Sequence, residues 1–284
     1  MKLAVVITCN NYYVPLAIVA LKCFKYKNID YDMIILGKEF SSENYTLCKT
    51  YNVSIITADL ENDFNNLDNG GCYPIECFYH LYSYKILKDY DFIVTIEPDI
   101  YTNKKIDIDL NSIEFIGGSF FHNIKIRDFY PIINDLDKIK TIYNIFDIEQ
   151  NRIIGGFRIY NVRNLEKIKF YETIVEYYKN SLKIDAPRRG DDSLMVMYQM
   201  LNKDKVFLLS PEYHIVFYNS FFDLNNIYHF HFTGPNEKYW KQDIRRCYIK
   251  DHFRNKMIDF IFANFDMDFI QNNTPFLYKT IKHV

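Results

Sequence analysis

The first 60 residues alternate between apolar segments typical of buried strands and segments with helical spacing. Buried parallel strands read as continuous apolar runs, whereas helices repeat their apolar residues every three or four positions. The predicted elements are a strand over 3–8, a helix over 14–24, a strand over 33–36, a helix over 43–51 and a strand over 54–57. Because parallel strands need crossover connections, this order predicts a parallel, Rossmann-like sheet with helices on its faces.

The rest of the chain continues this mixture of strands and helices. Residues 59–73 are rich in Asp, Asn and Gly and predict a loop, and a helix over 74–88 leads into a strand that ends at Ile96. Further predicted elements are strands over 114–120, 153–161, 206–209 and 227–232, and helices over 165–181 and 192–201. We therefore predict one α/β domain over 1–242 with a mixed, mostly parallel central sheet. A helical tail over 243–284 is expected to pack on it.

Composition is consistent with one folded domain and argues against nucleic-acid binding. A chain of 284 residues with 49% hydrophobic residues supports a sizeable core. The formal net charge of −2 and the lack of a basic run are unsuited to a phosphate backbone. The 25 tyrosines, together with abundant Asn, Ile and Lys, are first interpreted as the coding bias of an AT-rich genome, such as that of a virus or parasite.

Cysteine spacing and hydropathy favour a cytoplasmic protein. The six cysteines form no Cys-x-x-Cys pair and no cluster with zinc spacing, which favours reduced thiols. The apolar run at 3–7 is too short for a signal peptide, and no run reaches the length of a transmembrane segment. We therefore expect a soluble, cytoplasmic chain, and a homodimer is left open.

Two carboxylates follow directly after the predicted strand that ends at Ile96. Alternate side chains of an extended chain project to one face, so Glu97 and Asp99 point the same way, with Pro98 stiffening the turn between them. Carboxylates that converge at the carboxyl end of a buried strand favour a hard divalent cation, and open α/β sheets bind ligands outside that end. The alternative is a solvated turn, because acids that follow a strand are often simply hydrated.

A second segment, far along the chain, carries groups that complement two acids. It contains His229, His231, Gly234 and Lys238, followed by the single tryptophan, Trp240. An imidazole can complete a carboxylate-rich manganese site, a lysine suits a phosphate oxygen, and a glycine lets backbone N–H groups approach an anion. The alternative is a packed loop around a buried aromatic ring, with both histidines hydrogen-bonded in the core.

Together the two segments resemble motifs of the glycosyltransferases of family 8, the group that contains glycogenin and the bacterial lipooligosaccharide galactosyltransferases. Glu97-Pro98-Asp99 is similar to the Asp-x-Asp motif of the family, with Glu in place of the first Asp. The segment from His231 to Trp240 is similar to its His-x-x-Gly-x-x-Lys-Pro-Trp motif, with one extra residue before the lysine and Tyr in place of Pro.

Further motifs follow in the order found in the family, so the resemblance spans residues 1–242. They are the strand and turn of 5–12, the segment 78–81, the segment Ile154-Gly155-Gly156, which resembles an Asn-x-Gly strand without its Asn, and Gly190-Asp191-Asp192, which resembles a Gly-Asp-Gln motif. The stretch 191–213 also resembles family 6, the blood-group-type transferases, which share the same broad fold.

The resemblance implies a GT-A fold, with a nucleotide-binding half over about 1–101 and an acceptor and sugar half over about 102–242. It also implies a retaining, metal-dependent transfer of a hexose from a UDP-sugar to a glycan or protein acceptor. The implied metal is Mn²⁺ or Mg²⁺. Retaining enzymes of this kind must stabilise both a charged leaving group and an oxocarbenium-like sugar.

Roles for particular residues follow from the resemblance. The implied metal ligands are Asp99 and His231, with Glu97 as a third ligand or a ribose contact. The implied uridine contacts are Thr8, Asn11 and Tyr12, the implied phosphate contacts are His80, Gly234 and Lys238, and the implied catalytic carboxylates beside the sugar are Asp191 and Asp192.

Some of these positions have competing interpretations. His229 is the rival of His231, since residues two apart on a strand face the same side. An ordinary strand-to-helix turn with an Asn cap is the alternative for the uridine contacts. A second hypothesis is a non-catalytic nucleotide-sugar-binding protein of the same fold, motivated by departures from the family pattern at Glu97, Ile154, Asp192 and Tyr239. A third is an inverting transferase or a nucleotidyltransferase.

Overall fold

A computed structural model describes residues 1–60, 63–64, 74–128, 136–143, 147–183, 190–216, 223–232 and 248–273. The strands, in chain order, are β1 (Leu3–Thr8), β2 (Tyr31–Gly37), β3 (Ser54–Thr57), β4 (Phe92–Ile96), β5 (Ile100–Thr102), β6 (Ile116–Lys125), β7 (Asn151–Asn161), β8 (Val206–Leu209), β9 (Ile215–Val216) and β10 (His229–His231). The α-helices are α1 (Val14–Lys27), α2 (Ser42–Thr50), α3 (Ser83–Ile86), α4 (Leu136–Lys140), α5 (Val162–Lys167), α6 (Phe170–Lys183), α7 (Gly190–Leu201), α8 (Tyr248–Asn264) and α9 (Met267–Asn273).

Seven strands form the central sheet, in the order β3-β2-β1-β4-β7-β6-β8. β7 runs antiparallel to β4 and β6, and the other neighbouring pairs in this sheet are parallel. β5, β10 and β9 form a second, three-stranded sheet in which β10 is antiparallel to β5 and parallel to β9. The carboxyl ends of β1 and β4 therefore lie at the same edge as the amino-terminal half of β7.

The apolar run of β1 is continuous because the sheet is buried on both faces. Val5 and Ile7 pack in a core shared with α1, α8 and α9, whereas Ala4 and Val6 pack in a core on the opposite face, shared with α6 and α7. Successive strand residues point to opposite faces, so a strand covered on both sides needs apolar residues at every position. The mixed, mostly parallel sheet flanked by helices confirms the predicted fold class.

The described part of the C-terminal tail packs on this domain. Phe253, Met257 and Ile261 lie four residues apart along α8 and are buried in the same core as α1. Residues four apart share one face of a helix, so they form the apolar stripe that docks it. The predicted boundary at 242 lies outside the described residues, so the division into domain and tail stays a prediction. The homodimer likewise stays a prediction, because the structure describes a single chain.

Most predicted elements lie within a few residues of the observed ones, but the prediction of a single helix over 74–88 was wrong. A 3-10 helix (Ile75–Leu81) and the short α3 replace it. The segment is rich in aromatic residues, which have a modest helix propensity, and Ser83 Oγ donates to the carbonyl of His80 (2.7 Å).

The helix predicted over 165–181 is two helices, α5 and α6. Lys169 adopts a φ of +52°, which ends the first helix and lets Phe170 start the second in the core. β5 and β9 have three and two residues, too few to show a periodic pattern in the sequence. Among the described residues, no helix combines the length and apolar character needed to cross a membrane.

Candidate active site

The first cluster of the candidate site lies where the two sheets meet. Glu97 follows β4, and Asp99 immediately precedes β5, whose Ile100 pairs with His231 of β10. The backbone N–H of Phe232 donates to the carbonyl of Asp99 (3.0 Å), which fixes the turn against β10. His231 Nε2 lies 3.0 Å from Glu97 Oε2 and 3.2 Å from Asp99 Oδ1. We call Glu97, Asp99 and His231 the acidic triad.

The acidic triad could hold a metal ion. One ligand atom from each residue lies within 4.8 Å of the others. His231 Nε2 is buried and lies close to both carboxylates without forming a hydrogen bond to either. Burial lowers the pKa of His231, yet Asp99 and Glu97 outweigh this effect and raise it to about 9. Two oxygen donors and one imidazole nitrogen around a negative centre fit a divalent cation such as manganese.

The other histidines of this region have different environments. His229 lies in an apolar setting, where its ring packs on Phe157 and its Nδ1 lies 3.1 Å from Thr102 Oγ1. Burial lowers the pKa of His229 to about 3. His214, which precedes β9, is fully buried and places its Nε2 3.2 Å from His231 Nδ1. Burial holds the pKa of His214 well below its ordinary value.

The second cluster lies at the amino end of α7. Asp191 and Asp192 are in its first turn, where the helix dipole favours carboxylates. Arg158, on the central strand β7, donates from Nη2 to Asp192 Oδ1 (2.7 Å) and from Nη1 to Asp191 Oδ2 (3.2 Å). Arg152 Nη2 lies 3.7 Å from Asp192 Oδ2. We call Asp191, Asp192 and Arg158 the arginine clamp.

His80 contacts the Asp191 carboxylate of the arginine clamp and links it to Tyr160. Its Nε2 lies 2.6 Å from Asp191 Oδ2 and its Nδ1 lies 2.8 Å from the Tyr160 hydroxyl. A 2.6 Å contact with a carboxylate requires a proton on Nε2, so Nδ1 accepts from Tyr160. Burial and the nearby Arg158 charge lower the pKa of His80, which keeps the ring neutral. The structure thus brings His80 to a catalytic candidate, Asp191.

The two aspartates of the clamp ionise differently. Burial disfavours the charge on Asp191, but His80 and Arg158 outweigh it and lower the pKa of this carboxyl. Burial and the adjacent Asp191 charge raise the pKa of Asp192. The Asp191 side chain is 20% exposed and that of Asp192 is 37% exposed. Asp192 is therefore the more accessible carboxyl.

Two adjacent glycines on β7 lie between the acidic triad and the arginine clamp. A Cβ at Gly155 would lie 2.2 Å from Asp192 Oδ1, so the carboxylate rests directly on the strand backbone. Gly156 has a φ of +96°, and a Cβ there would lie 2.9 Å from the His231 ring. Because glycine has no side chain, Asp192 can approach the backbone at Gly155 and His231 can approach it at Gly156. The two glycines therefore place the two clusters next to each other in one site.

The predicted uridine contacts lie at the carboxyl end of β1. Thr8 ends the strand, and Tyr12 is 64% exposed. Asn11 has a structural role, since its Oδ1 accepts hydrogen bonds from the Ser41 N–H and Asn44 Nδ2, both at 2.8 Å. These contacts tie the turn to the start of α2. The predicted phosphate contacts Gly234 and Lys238 lie outside the described residues.

Sequence reasoning missed two residues of the site, Arg158 and His214. A signal for Arg158 existed, because an arginine amid the apolar residues of β7 must be paired when it is buried. His214 gave a weaker signal, a histidine next to the apolar pair that forms β9. The residues next to Arg158 and His214 in the sequence do not indicate that their partners are Asp191, Asp192 and His231.

Solved structures with the same architecture cover nearly the whole chain. The galactosyltransferase LgtC, solved with donor and acceptor sugar analogues, matches with a TM-score of 0.67 at 14% identity, over 95% of this chain and 99% of its own. The chain has a GT-A fold. This is the fold that the resemblance to family 8 implies.

Two further structures share the GT-A fold of this chain. The glycosyltransferase GlyE of Streptococcus pneumoniae matches with a TM-score of 0.61 at 13% identity, over 100% of this chain and 64% of its own. Mouse xyloside xylosyltransferase 1 matches with a TM-score of 0.56 at 11% identity, over 83% of this chain and 98% of its own. No protein-family model and no curated protein matches the sequence. At these identities the likeness establishes the fold, and the chemistry rests on the site itself.

Proposed function

We propose that the protein is a retaining, metal-dependent glycosyltransferase that moves a hexose from a UDP-sugar to a glycan or protein acceptor. The observation that carries this proposal is the juxtaposition of the acidic triad and the arginine clamp across Gly155 and Gly156. The site lies at the carboxyl ends of β1 and β4, where open α/β sheets bind their ligands. Similarity to solved glycosyltransferases supports the reaction class, and the resemblance to family 8 supports retention.

The acidic triad supports metal dependence. Glu97, Asp99 and His231 would hold a divalent cation, since two carboxylates against one imidazole leave a negative centre. When bound, the cation supplies positive charge to the diphosphate of the departing nucleotide. Asp99 is the stronger ligand candidate because it is almost fully buried, whereas the Glu97 side chain is half-exposed.

The arginine clamp supports the chemistry at the sugar. Positive charge develops at the anomeric carbon, and fixed carboxylates beside it stabilise that charge. Arg158 donates to Asp191 Oδ2 and Asp192 Oδ1, and Arg152 Nη2 lies 3.7 Å from the second oxygen of Asp192. We assign Asp191 Oδ1 and the partly exposed Asp192 carboxyl to a sugar hydroxyl or the anomeric centre.

The exposed ring of Tyr12 supports uridine binding next to this site. A base stacked on an exposed aromatic side chain gains about 1–3 kcal/mol. Tyr12 stands at the carboxyl end of β1 and is 64% exposed, and its own ring contact is an edge-on one with Tyr13. Thr8, Asn11 and Tyr12 remain the proposed nucleotide contacts, and Gly234 and Lys238 the proposed phosphate contacts. His80, first expected at the phosphates, is instead assigned to holding Asp191, since both of its ring nitrogens have partners.

The test is an assay of UDP release from a panel of UDP-hexoses in the presence of Mn²⁺, with and without candidate acceptors. Asp191→Asn and Asp192→Asn should lower release on the order of 10²–10³-fold, because they remove charge stabilisation at the sugar. UDP affinity, measured by calorimetry, should stay close to wild type. The matched control is Asp204→Asn, since Asp204 is exposed and precedes β8 at the opposite end of the sheet.

Other outcomes would decide between the competing functions. UDP binding without release from any donor would favour a non-catalytic nucleotide-sugar-binding protein. A product of inverted anomeric configuration, read by NMR, would favour an inverting transferase. Unchanged release by both aspartate variants would remove the arginine clamp from the proposed chemistry.

A further inference from the structure

The ring nitrogen of His231 that faces away from the carboxylates has a partner of its own. Nδ1 of His231 lies 3.2 Å from Nε2 of His214. A neutral imidazole carries one N–H, so a lone pair on Nε2 for a cation requires the proton on Nδ1. That N–H points at His214 Nε2, which must be the acceptor. His214 then carries its own proton on Nδ1.

The His214 ring is held on several sides. It is fully buried and stacks on Phe157, with ring centroids 6.2 Å apart and an angle of 13° between the planes. A Cβ at Gly156 would lie 3.0 Å from His214 Cε1, so the ring touches the backbone of β7. Rotation of the ring would require Phe157 or β7 to move. The position of its Nε2 is therefore fixed by packing.

The backbone around His214 is fixed by long-range contacts. His214 lies between a 3-10 helix (Pro211–Tyr213) and β9, whose Val216 pairs with His231. Ser119 Oγ, on β6, donates to the carbonyl of Ser210 (3.0 Å) and anchors the start of that helix to the central sheet. The same pairing that places His231 beside the carboxylates places His214 behind it.

Each of the two buried histidines on Phe157 makes one polar contact, His229 with Thr102 and His214 with His231. Buried ring nitrogens are normally hydrogen-bonded, because an unpaired one costs free energy. Among the described residues, His214 Nε2 meets His231 and His214 Nδ1 has no hydrogen-bond partner. An apolar side chain of similar size would avoid that cost. The contact with His231 is thus the polar interaction that the ring provides.

We propose that His214 is a positioning residue of the metal site, which fixes His231 in the tautomer whose Nε2 lone pair faces Glu97 and Asp99. Histidines that bind metals nearly always donate their other N–H to an outer group, and loss of that group typically costs about 10–100-fold in metal affinity. Here the outer group is a second imidazole. The ligand is a divalent cation that accepts mixed oxygen and nitrogen donors, such as Mn²⁺. This inference rests on the metal site of the proposed function.

The experiment measures Mn²⁺ affinity by electron paramagnetic resonance, with the metal alone and with UDP. His214→Leu removes the acceptor and should weaken Mn²⁺ binding about 10–100-fold. His214→Gln keeps an acceptor oxygen near the same place and should bind Mn²⁺ more tightly than the leucine variant. The matched control is His229→Leu, because His229 is equally buried and also packs on Phe157 but hydrogen-bonds to Thr102. It should bind Mn²⁺ like wild type.

A second measurement uses only the wild-type protein, so it does not depend on the folding of a variant. In the wild-type protein with diamagnetic Mg²⁺, ¹H–¹⁵N correlation spectra of the histidine rings report the tautomer of His231, and the proton should sit on Nδ1. A proton on Nε2, or His214→Leu binding Mn²⁺ as tightly as wild type, would overturn the role of His214 alone. Failure of the wild-type protein to bind Mn²⁺ in either condition would overturn the metal site itself, and this inference with it.

Discussion

The acidic triad and the arginine clamp each contain two carboxylates, but their counter-charges differ. Glu97 and Asp99 face one imidazole, whereas Asp191 and Asp192 face the permanently charged guanidinium of Arg158. An excess of negative charge makes the first cluster a place for an added cation. Arg152 places a second guanidinium 3.7 Å from Asp192, so the charges of this cluster are balanced within the protein and its carboxylates need no added cation. The same residue type thus serves two purposes, according to what faces it.

The largest expected effect comes from removing the counter-charge of the clamp. Arg158→Met leaves two carboxylates around a buried gap and should lower the free energy of unfolding by about 3–5 kcal/mol. Arg158→Lys should recover part of that loss but not the two-pronged geometry. Urea denaturation measures both variants. The matched control, Arg163→Met, removes an exposed arginine paired with Asp91 and should cost about 0–1 kcal/mol. Equal losses for Arg158→Met and Arg163→Met would contradict the clamp.

The next largest effect concerns the buried acid of the triad. Asp99→Asn should lower UDP release on the order of 10²–10³-fold, because it weakens the stabilisation of the leaving group. Mn²⁺ affinity, read by calorimetry, should fall in parallel. Asp89→Asn is the matched control, since Asp89 is exposed and precedes β4 at the opposite end of the same strand. Full activity of Asp99→Asn without added metal would remove the acidic triad from the mechanism.

The adjacent glycines allow the two clusters to be perturbed separately. Gly155→Ala crowds Asp192 and should cost about 1–3 kcal/mol of stability, with Mn²⁺ affinity unchanged. Gly156→Ala places a side chain on a residue with a φ of +96°, which alanine rarely adopts, and crowds His231. It should therefore lower the free energy of unfolding by about 1–3 kcal/mol and weaken Mn²⁺ binding. Thermal unfolding with and without Mn²⁺ measures both effects. Equal loss of Mn²⁺ affinity in the two variants would show that the clusters do not behave independently.

The smallest expected effect is at the exposed member of the triad. Glu97→Gln should weaken Mn²⁺ binding only about two- to fivefold, because an exposed charge pair contributes about 0.2–1 kcal/mol. The Glu97 side chain is 47% exposed, compared with 3% for Asp99. Electron paramagnetic resonance of bound Mn²⁺ measures the difference. A loss as large as that in Asp99→Asn would make the two carboxylates equal ligands.

Short patterns of apolar residues predicted the strands, and with them the position of Glu97 and Asp99 just after β4. The alternating elements of 1–57 were confirmed within a few residues, because strand and helix periodicities are properties of short segments. The proximity of Glu97, Asp99 and His231 followed from two motifs and their order along the chain. The helix over 74–88 was wrong, since its ending depends on side-chain contacts that the pattern does not contain.

Short-range patterns in the sequence specify the alternation of buried strands and helices, and hence the edge of the sheet where Glu97 and Asp99 lie. The tertiary structure alone decided their partners. His229 and His231 share one side of a strand, and the register of β10 against β5 sets which one meets Asp99. Arg158 meets Asp191 and Asp192 across the sheet, and His214 meets His231 through β9. Such contacts join residues far apart in the chain, so strand register and packing determine them, and no local periodicity carries that information.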